Sequence, residues 1–143
     1  MSTGQEEKII NILLVEDNPA DVEILKRALK ISNCKHLLKV INDGDDALKF
    51  IAELESDNSQ KDIFQPQFII LDLNLPKVSG FGILKAIKIN SKIYSVPVMM
   101  LTSSDADADI EKSYRLGASR FITKPVNPQE FTSLVSEIGK YCY

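Results

Sequence analysis

Residues 9–19 read Ile-Ile-Asn-Ile-Leu-Leu-Val-Glu-Asp-Asn-Pro, and the change of character partway along this stretch decides the fold. Ile9–Val15 is a compact apolar run interrupted only by Asn11. A run of this kind, without strict alternation, reads as a strand buried on both faces. Two carboxylates follow, then Asn18 as a helix N-cap and Pro19 at the first helical position. From there Pro19–Ile31 reads as a helix whose apolar residues Val22, Leu25, Ala28 and Leu29 keep three-to-four spacing. One strand, an acidic turn and one amphipathic helix thus make up the first unit.

The same unit recurs four more times. Leu37–Ile41 is a less apolar strand, placed nearer a sheet edge, and Asp45–Leu54 a helix with Ala47, Leu48, Ile51 and Leu54 on one face. Ser56–Pro66 is polar and without periodicity, a loop longer than compact domains usually need. Phe68–Leu71 and Phe81–Ile89 form the third strand and helix, and Val96–Leu101 and Ala106–Leu116 the fourth, with Gly117 as C-cap. Phe121–Thr123 is a short fifth strand. Pro128–Lys140 is the last helix, opened by a capping-box-like Asn127 and Glu130. Five strand–helix units with right-handed crossovers predict an α/β fold built on a doubly wound parallel sheet.

The chain has 143 residues, the size of one domain, which we place at residues 9–143 behind a polar tail at 1–8. Lys and Arg number 17 against 20 Asp and Glu, a net charge of −3 that argues against a nucleic-acid binder. Hydrophobic content of 44% excludes a disordered chain. No apolar run reaches the roughly 18 residues of a membrane span, and the acidic start is unlike a signal peptide, so the expected address is cytoplasmic. Cys34 and Cys142 lie far apart and have no metal or redox spacing, so they are expected to be buried or idle thiols. A single histidine, His36, excludes a multi-histidine metal site, and it is expected to flank a strand.

A parallel sheet brings the C-terminal ends of its strands to one edge, where open α/β sheets bind ligands. The residues following the runs are Glu16 and Asp17, Asp72, Thr102 and Lys124. Three close carboxylates repel one another unless a cation sits among them, and Lys124 supplies only one positive charge. An all-oxygen set suits Mg²⁺ or Mn²⁺ better than zinc. A metal with open positions, a carboxylate nucleophile in Asp72, an ammonium and a hydroxyl make a phosphoryl-transfer arrangement.

Val-Glu-Asp-Asn-Pro (15–19), Leu-Asp-Leu-Asn-Leu-Pro (71–76), Leu-Thr-Ser-Ser (101–104) and Thr-Lys-Pro (123–125) stand in the order and spacing of the receiver domain of two-component response regulators. The chain strongly resembles that family from Ile9 to the last helix. The resemblance implies a flavodoxin-like five-stranded sheet in the order 2-1-3-4-5 and a phosphoryl group carried on Asp72, delivered by a sensor histidine kinase. It implies Mg²⁺ held by Asp17, Asp72 and the Asn74 carbonyl, with Glu16 acting through water. It also implies switch positions at Thr102 and Phe121, catalytic support from Lys124, and a cis peptide at Lys124–Pro125. Output is expected through a protein partner or a histidine phosphotransfer domain. The protein is thus expected to be no enzyme beyond its own phosphorylation and dephosphorylation. The long loop and the acceptor motif are similar to regulators that partner phytochrome-type kinases. Phe121 stands where many members carry Tyr, while Asn74 and Ser104 occupy positions that tune phosphoryl lifetime.

Plainer readings apply to other motifs. Asp43, Asp45 and Asp46 read as a helix start, where negative charge suits the dipole. Asp105, Asp107 and Asp109 lack the glycine and closing glutamate of a calcium loop. Gly80-Phe-Gly82 has Lys85 where a dinucleotide fingerprint needs glycine. Tyr114 is read as a packing residue. Tyr141, Cys142 and Tyr143 are candidates to extend a homodimer contact. Two other functions use the same residues. A metal-dependent aspartyl phosphatase would need a second aspartate where Asn74 stands, and a degenerate receiver that only binds protein would have lost part of the pocket.

Overall fold

The computed structural model describes residues 8–56, 64–124 and 127–142. Ten elements alternate along them: β1 (Ile10–Val15), α1 (Pro19–Ile31), β2 (His36–Ile41), α2 (Gly44–Glu55), β3 (Phe68–Leu71), α3 (Gly80–Lys88), β4 (Val98–Thr102), α4 (Asp107–Arg115), β5 (Arg120–Thr123) and α5 (Pro128–Cys142). The strands form one parallel sheet in the order β2-β1-β3-β4-β5, as expected from the sequence. Element boundaries differ from the sequence reading by one or two residues. Most of the loop expected at Ser56–Pro66, the Lys124–Pro125 peptide and Tyr143 lie outside the described residues, as does most of the N-terminal tail.

Alternating side chains of the central strands feed two cores. Leu13 and Val15, Ile69 and Leu71, and Val98 and Met100 pack with Ala47 and Ile51 of α2 and Ile83, Leu84 and Ile87 of α3. Ile12 and Leu14, Phe68 and Ile70, and Met99 and Leu101 pack on the other face with Leu25 and Leu29 of α1 and Leu134 and Ile138 of α5. Both faces are therefore buried, which is why these strands are apolar runs; each such side chain contributes about 1.5–3 kcal/mol relative to an exposed one. Asn11, the polar interruption, is used at the strand margin: its backbone and amide bond Gln67 and the carbonyl of Gln65. β2 is one of the two edge strands, and Leu37 and Val40 on it stay exposed.

The expected caps form. Asn18 accepts from the Ala20 N–H, Asp43 from those of Asp45 and Asp46, and Asn127 from that of Glu130. Gly117 ends α4 at φ +106°, a left-handed conformation that glycine adopts without steric cost. His36 opens β2 half-buried, its Nδ1 lying 2.8 Å from the Cys34 carbonyl oxygen.

The cysteines depart from expectation. Cys34 and Cys142 are joined as a disulfide across 108 residues, which corrects the reading of both as thiols. Sequence separation hid the pairing. α1 and α5 share one core, so the end of α5 meets the turn after α1. Tyr141 stacks on Phe68 within the chain, with ring centroids 4.4 Å apart.

Candidate functional site

Sheet register brings the site residues together. Val15 lies opposite both Ile41 and Leu71, so Glu16 and Asp72 leave adjacent strands side by side, tied by the Asp72 N–H donating to the Val15 carbonyl. Leu71 pairs with Met100, two residues before Thr102, and Thr102 pairs with Thr123. The Lys124 N–H donates to the Thr102 carbonyl at 2.7 Å. Four chain segments thus present Glu16, Asp17, Asp72, Thr102 and Lys124 at one edge.

Two close backbone approaches seat the acceptor segment. A β-carbon at Gly80 would lie 2.4 Å from the Asp72 carbonyl oxygen and 2.6 Å from Leu73 Cα. One at Gly44 would lie 2.8 Å from Val78 Cβ. Between these points the Val78 N–H bonds the Pro76 carbonyl around Lys77 at φ +73°, a γ-turn of the strained kind. The Lys77 ammonium pairs with Asp43 at 3.1 Å and pins this turn to the start of α2.

One oxygen from each of Glu16, Asp17 and Asp72 falls within 4.8 Å of the others. Glu16 and Asp72 are buried and Asp17 is exposed. Lys124 Nζ lies 2.7 Å from Glu16 Oε1, 2.8 Å from Asp21 Oδ2 and 3.1 Å from Asp72 Oδ2. The contact with Asp72 is a directed hydrogen bond, and we treat the other two as ion pairs. Burial opposes the charge on Lys124, but the Asp21 and Glu16 carboxylates and the charge of Asp72 outweigh it and hold the ammonium well above the ordinary lysine range. Burial also pushes Glu16 up to about 7; Lys124 pulls against that rise and Asp72 adds to it. Glu16 Oε2 accepts from the Asn18 N–H, and the buried Oε1 meets the Lys124 ammonium.

This donor set fits a divalent cation. Four carboxylates face one ammonium, and every candidate ligand atom is oxygen. The exposed side opens into a crevice of about 570 Å³ lined in part by Asp17, Asn74, Lys77 and Asp109.

Thr102 is fully buried at the end of β4. Its Oγ1 accepts from Asn74 Nδ2 at 3.0 Å and from the Ser104 N–H at 3.3 Å. Asn74 also donates its N–H to Asp72 Oδ1. The residue expected to offer a carbonyl to metal therefore also bridges the acceptor and the hydroxyl through its other atoms. Ser104 Oγ donates to Asp109 at the start of α4. Phe121 is half-buried, and its N–H donates to the Tyr114 hydroxyl, so Tyr114 ties α4 to β5 and does more than pack. Asp107 and Asp109 lie in the first turn of α4, as the rejection of a calcium loop requires.

Sequence reasoning missed Asp21, Lys77 and Tyr114. Asp21 shows only as an acidic residue in the first turn of α1, which says nothing of Lys124, 103 positions away. Lys77 and Tyr114 had no signal: Asp43 lies 34 positions from Lys77, and Tyr114 meets the Phe121 N–H only through the way α4 packs beside β5.

Comparison with known proteins bears on the same residues. The response regulator receiver domain family matches residues 12–136. The response regulator Rcp1 of Synechocystis is 37% identical over 91% of this chain and 86% of its own. The crystal structure of the Mn²⁺-bound form of Rcp1 superposes with a TM-score of 0.79 at 33% identity, covering 93% of this chain and 94% of that one. The phosphorylated cyanobacterial phytochrome response regulator RcpA superposes with a TM-score of 0.78 at 32% identity, covering 94% of each.

Proposed function

This chain belongs to the response regulator receiver family of two-component systems, and from that premise we propose that Asp72 takes the phosphoryl group from a histidine kinase. The observation that carries the assignment is the meeting of buried Asp72 with Glu16, Asp17 and Lys124 at one edge of the sheet, with Asp17 lining the adjoining crevice. An Asp72 oxygen attacks phosphorus in line with the P–N bond of a phosphohistidine. The P–O bond forms as the P–N bond breaks, and the imidazole leaves with its electron pair and takes up a proton. Lys124, already bonded to Asp72, stays against the acyl phosphate and neutralises phosphoryl oxygens. A divalent cation, which we propose is Mg²⁺ held by Glu16, Asp17, Asp72 and the Asn74 carbonyl, supplies further positive charge there.

Thr102 is the side chain that reads the new charge. Its hydroxyl oxygen is occupied by Asn74 and Ser104, but its proton is free to donate to a phosphoryl oxygen. Turning toward that oxygen breaks the Asn74 bond and leaves space beside β5, into which Phe121 moves. Phe121 then pulls on the Tyr114 tie, and the surface of α4, β5 and α5 changes its affinity for a protein partner or a histidine phosphotransfer domain.

The protein turns over no external substrate on this reading. An aspartyl phosphatase would need an acid–base carboxylate at position 74, where an asparagine is bound to Thr102. A degenerate receiver would have lost pocket residues, and all are present. We place the protein in the cytoplasm. The likeness to RcpA, a phytochrome response regulator, supports a phytochrome-type kinase as donor.

The test is intact mass after incubation with phosphoramidate or acetyl phosphate and Mg²⁺. One phosphoryl group is expected on the parent chain and none on Asp72→Asn or in EDTA. Equal labelling of Asp72→Asn would refute the acceptor, and multiple turnover on phosphate esters would favour the phosphatase.

A further inference from the structure

Asp21 belongs to none of the four motifs, yet it is one of three carboxylates within 3.1 Å of the Lys124 ammonium. It sits in the first turn of α1, mostly buried, at 2.8 Å, closer to the ammonium than the acceptor Asp72 is. Lys124 has a flexible four-carbon stem and a charge that must do two opposed things in one crevice. It must meet the acceptor and its phosphoryl group, and it must not repel a divalent cation bound to the same carboxylates.

We propose that Asp21 is a positioning residue that anchors Lys124 and offsets its charge, so that the cation site keeps its affinity while the ammonium stays on Asp72. This rests on the phosphoryl-acceptor reading above. With Asp21 present, four carboxylates stand against one ammonium, and a divalent cation meets a site that remains strongly negative. Without it, the same ammonium is shared by Glu16 and Asp72 alone, and both are candidate ligands. Each carboxylate then gives more of its charge to Lys124 and less to the cation.

A plain alternative has Asp21 only as an acidic first-turn residue that suits the α1 dipole. On that account Asp21→Asn would cost a little stability and leave cation binding unchanged. Glu23 is the internal control, since it carries the same charge on the same helix but is exposed and pairs with Lys26.

The experiment measures Mg²⁺ and Mn²⁺ affinity by titration calorimetry at fixed ionic strength, together with the Mg²⁺ concentration that half-saturates labelling by phosphoramidate. Asp21→Asn is expected to weaken both about 3- to 10-fold, the size of one partly screened charge acting on a divalent ion. Asp21→Glu is expected to restore most of the loss, and Glu23→Gln to match the parent. Parent-like affinity in Asp21→Asn, or an equal loss in Glu23→Gln, would overturn the proposal. If Asp21→Asn unfolds, Asp21→Ser decides: it removes the same charge with a smaller side chain and is expected to show the same loss, and parent-like affinity in it would overturn the proposal. If the parent chain binds no divalent cation, the acceptor-site reading itself fails, an outcome distinct from loss in the Asp21 variants alone.

Discussion

Replacing Gly80 by alanine tests how the acceptor is seated. The added carbon would lie 2.4 Å from the Asp72 carbonyl oxygen, 2.6 Å from Leu73 Cα and 3.1 Å from the Asp72 carbonyl carbon. The shortest of these is about 1.0 Å inside the 3.4 Å at which ordinary contact begins, and all three partners are backbone. A rotamer change cannot relieve the clash, so α3 or the acceptor segment must move. Overpacking costs about 1–3 kcal/mol, and rigid backbone on the far side puts this case near the top of that range. The helix-propensity gain of alanine offsets at most about 1 kcal/mol. A net loss of about 2 kcal/mol corresponds to a melting temperature lower by roughly 4–8 °C for a chain of this size. Movement of Asp72 by a fraction of an ångström should also slow labelling by small phosphodonors, on the order of 10-fold or more. Gly139→Ala is the control, because nothing lies within 4 Å of its added carbon. It should stabilise α5 by about 0.5–1 kcal/mol and leave labelling unchanged. Thermal unfolding and intact-mass time courses on the three proteins read both effects. A Gly80→Ala variant that melts with the parent and labels at its rate would refute the reasoning.

Three further outcomes follow from particular contacts. Reducing Cys34–Cys142, which closes a 108-residue span, should lower the unfolding free energy by about 2–4 kcal/mol in urea titrations, and Cys34→Ser/Cys142→Ser should not respond to reductant. The Asp46 N–H and the Lys77 ammonium hold the Asp43 carboxyl below its ordinary value of 3.8, so its contribution is present above that pH and lost as pH falls through the folded value. The stability difference between the parent and Asp43→Asn should therefore shrink below about pH 4; a difference that widens there would show the sign to be wrong. Asn90 is buried, donates to the Ile51 carbonyl at 2.8 Å and accepts from the Lys92 N–H at 2.9 Å. Asn90→Ala strands the buried Ile51 carbonyl, frees the part-buried Lys92 N–H and should cost about 1–3 kcal/mol in the same titrations, with labelling unaffected.

The readable parts of this protein are those whose signal is local. A strand buried on both faces must be apolar along its length, so Ile12–Val15, Phe68–Leu71 and Val98–Leu101 show in the chain as runs. Caps read equally well because an N-cap bonds a residue two or three positions on, as at Asn18, Asp43 and Asn127. The carboxylates, the hydroxyl and the lysine of the site were legible for a related reason. Parallel strands end at one edge, so a residue one place beyond each run has its destination assigned by the fold.

Contacts that depend on how helices lie over the sheet were not legible. Cys34 and Cys142 looked idle because no local pattern records that the end of α5 reaches the turn after α1. Asp21 drew no reading until β5 delivered Lys124 beside it, and Tyr114 looked like packing until its hydroxyl met the Phe121 N–H. The sequence by itself determined the fold class, the strand-end constellation and the kind of chemistry that constellation supports, because apolar periodicity, capping and the charge of neighbouring residues act over a few positions. Only the tertiary structure decided which carboxylates share Lys124, which atoms hold Thr102 and which cysteines meet, because those choices are made by sheet register and helix packing between residues tens of positions apart.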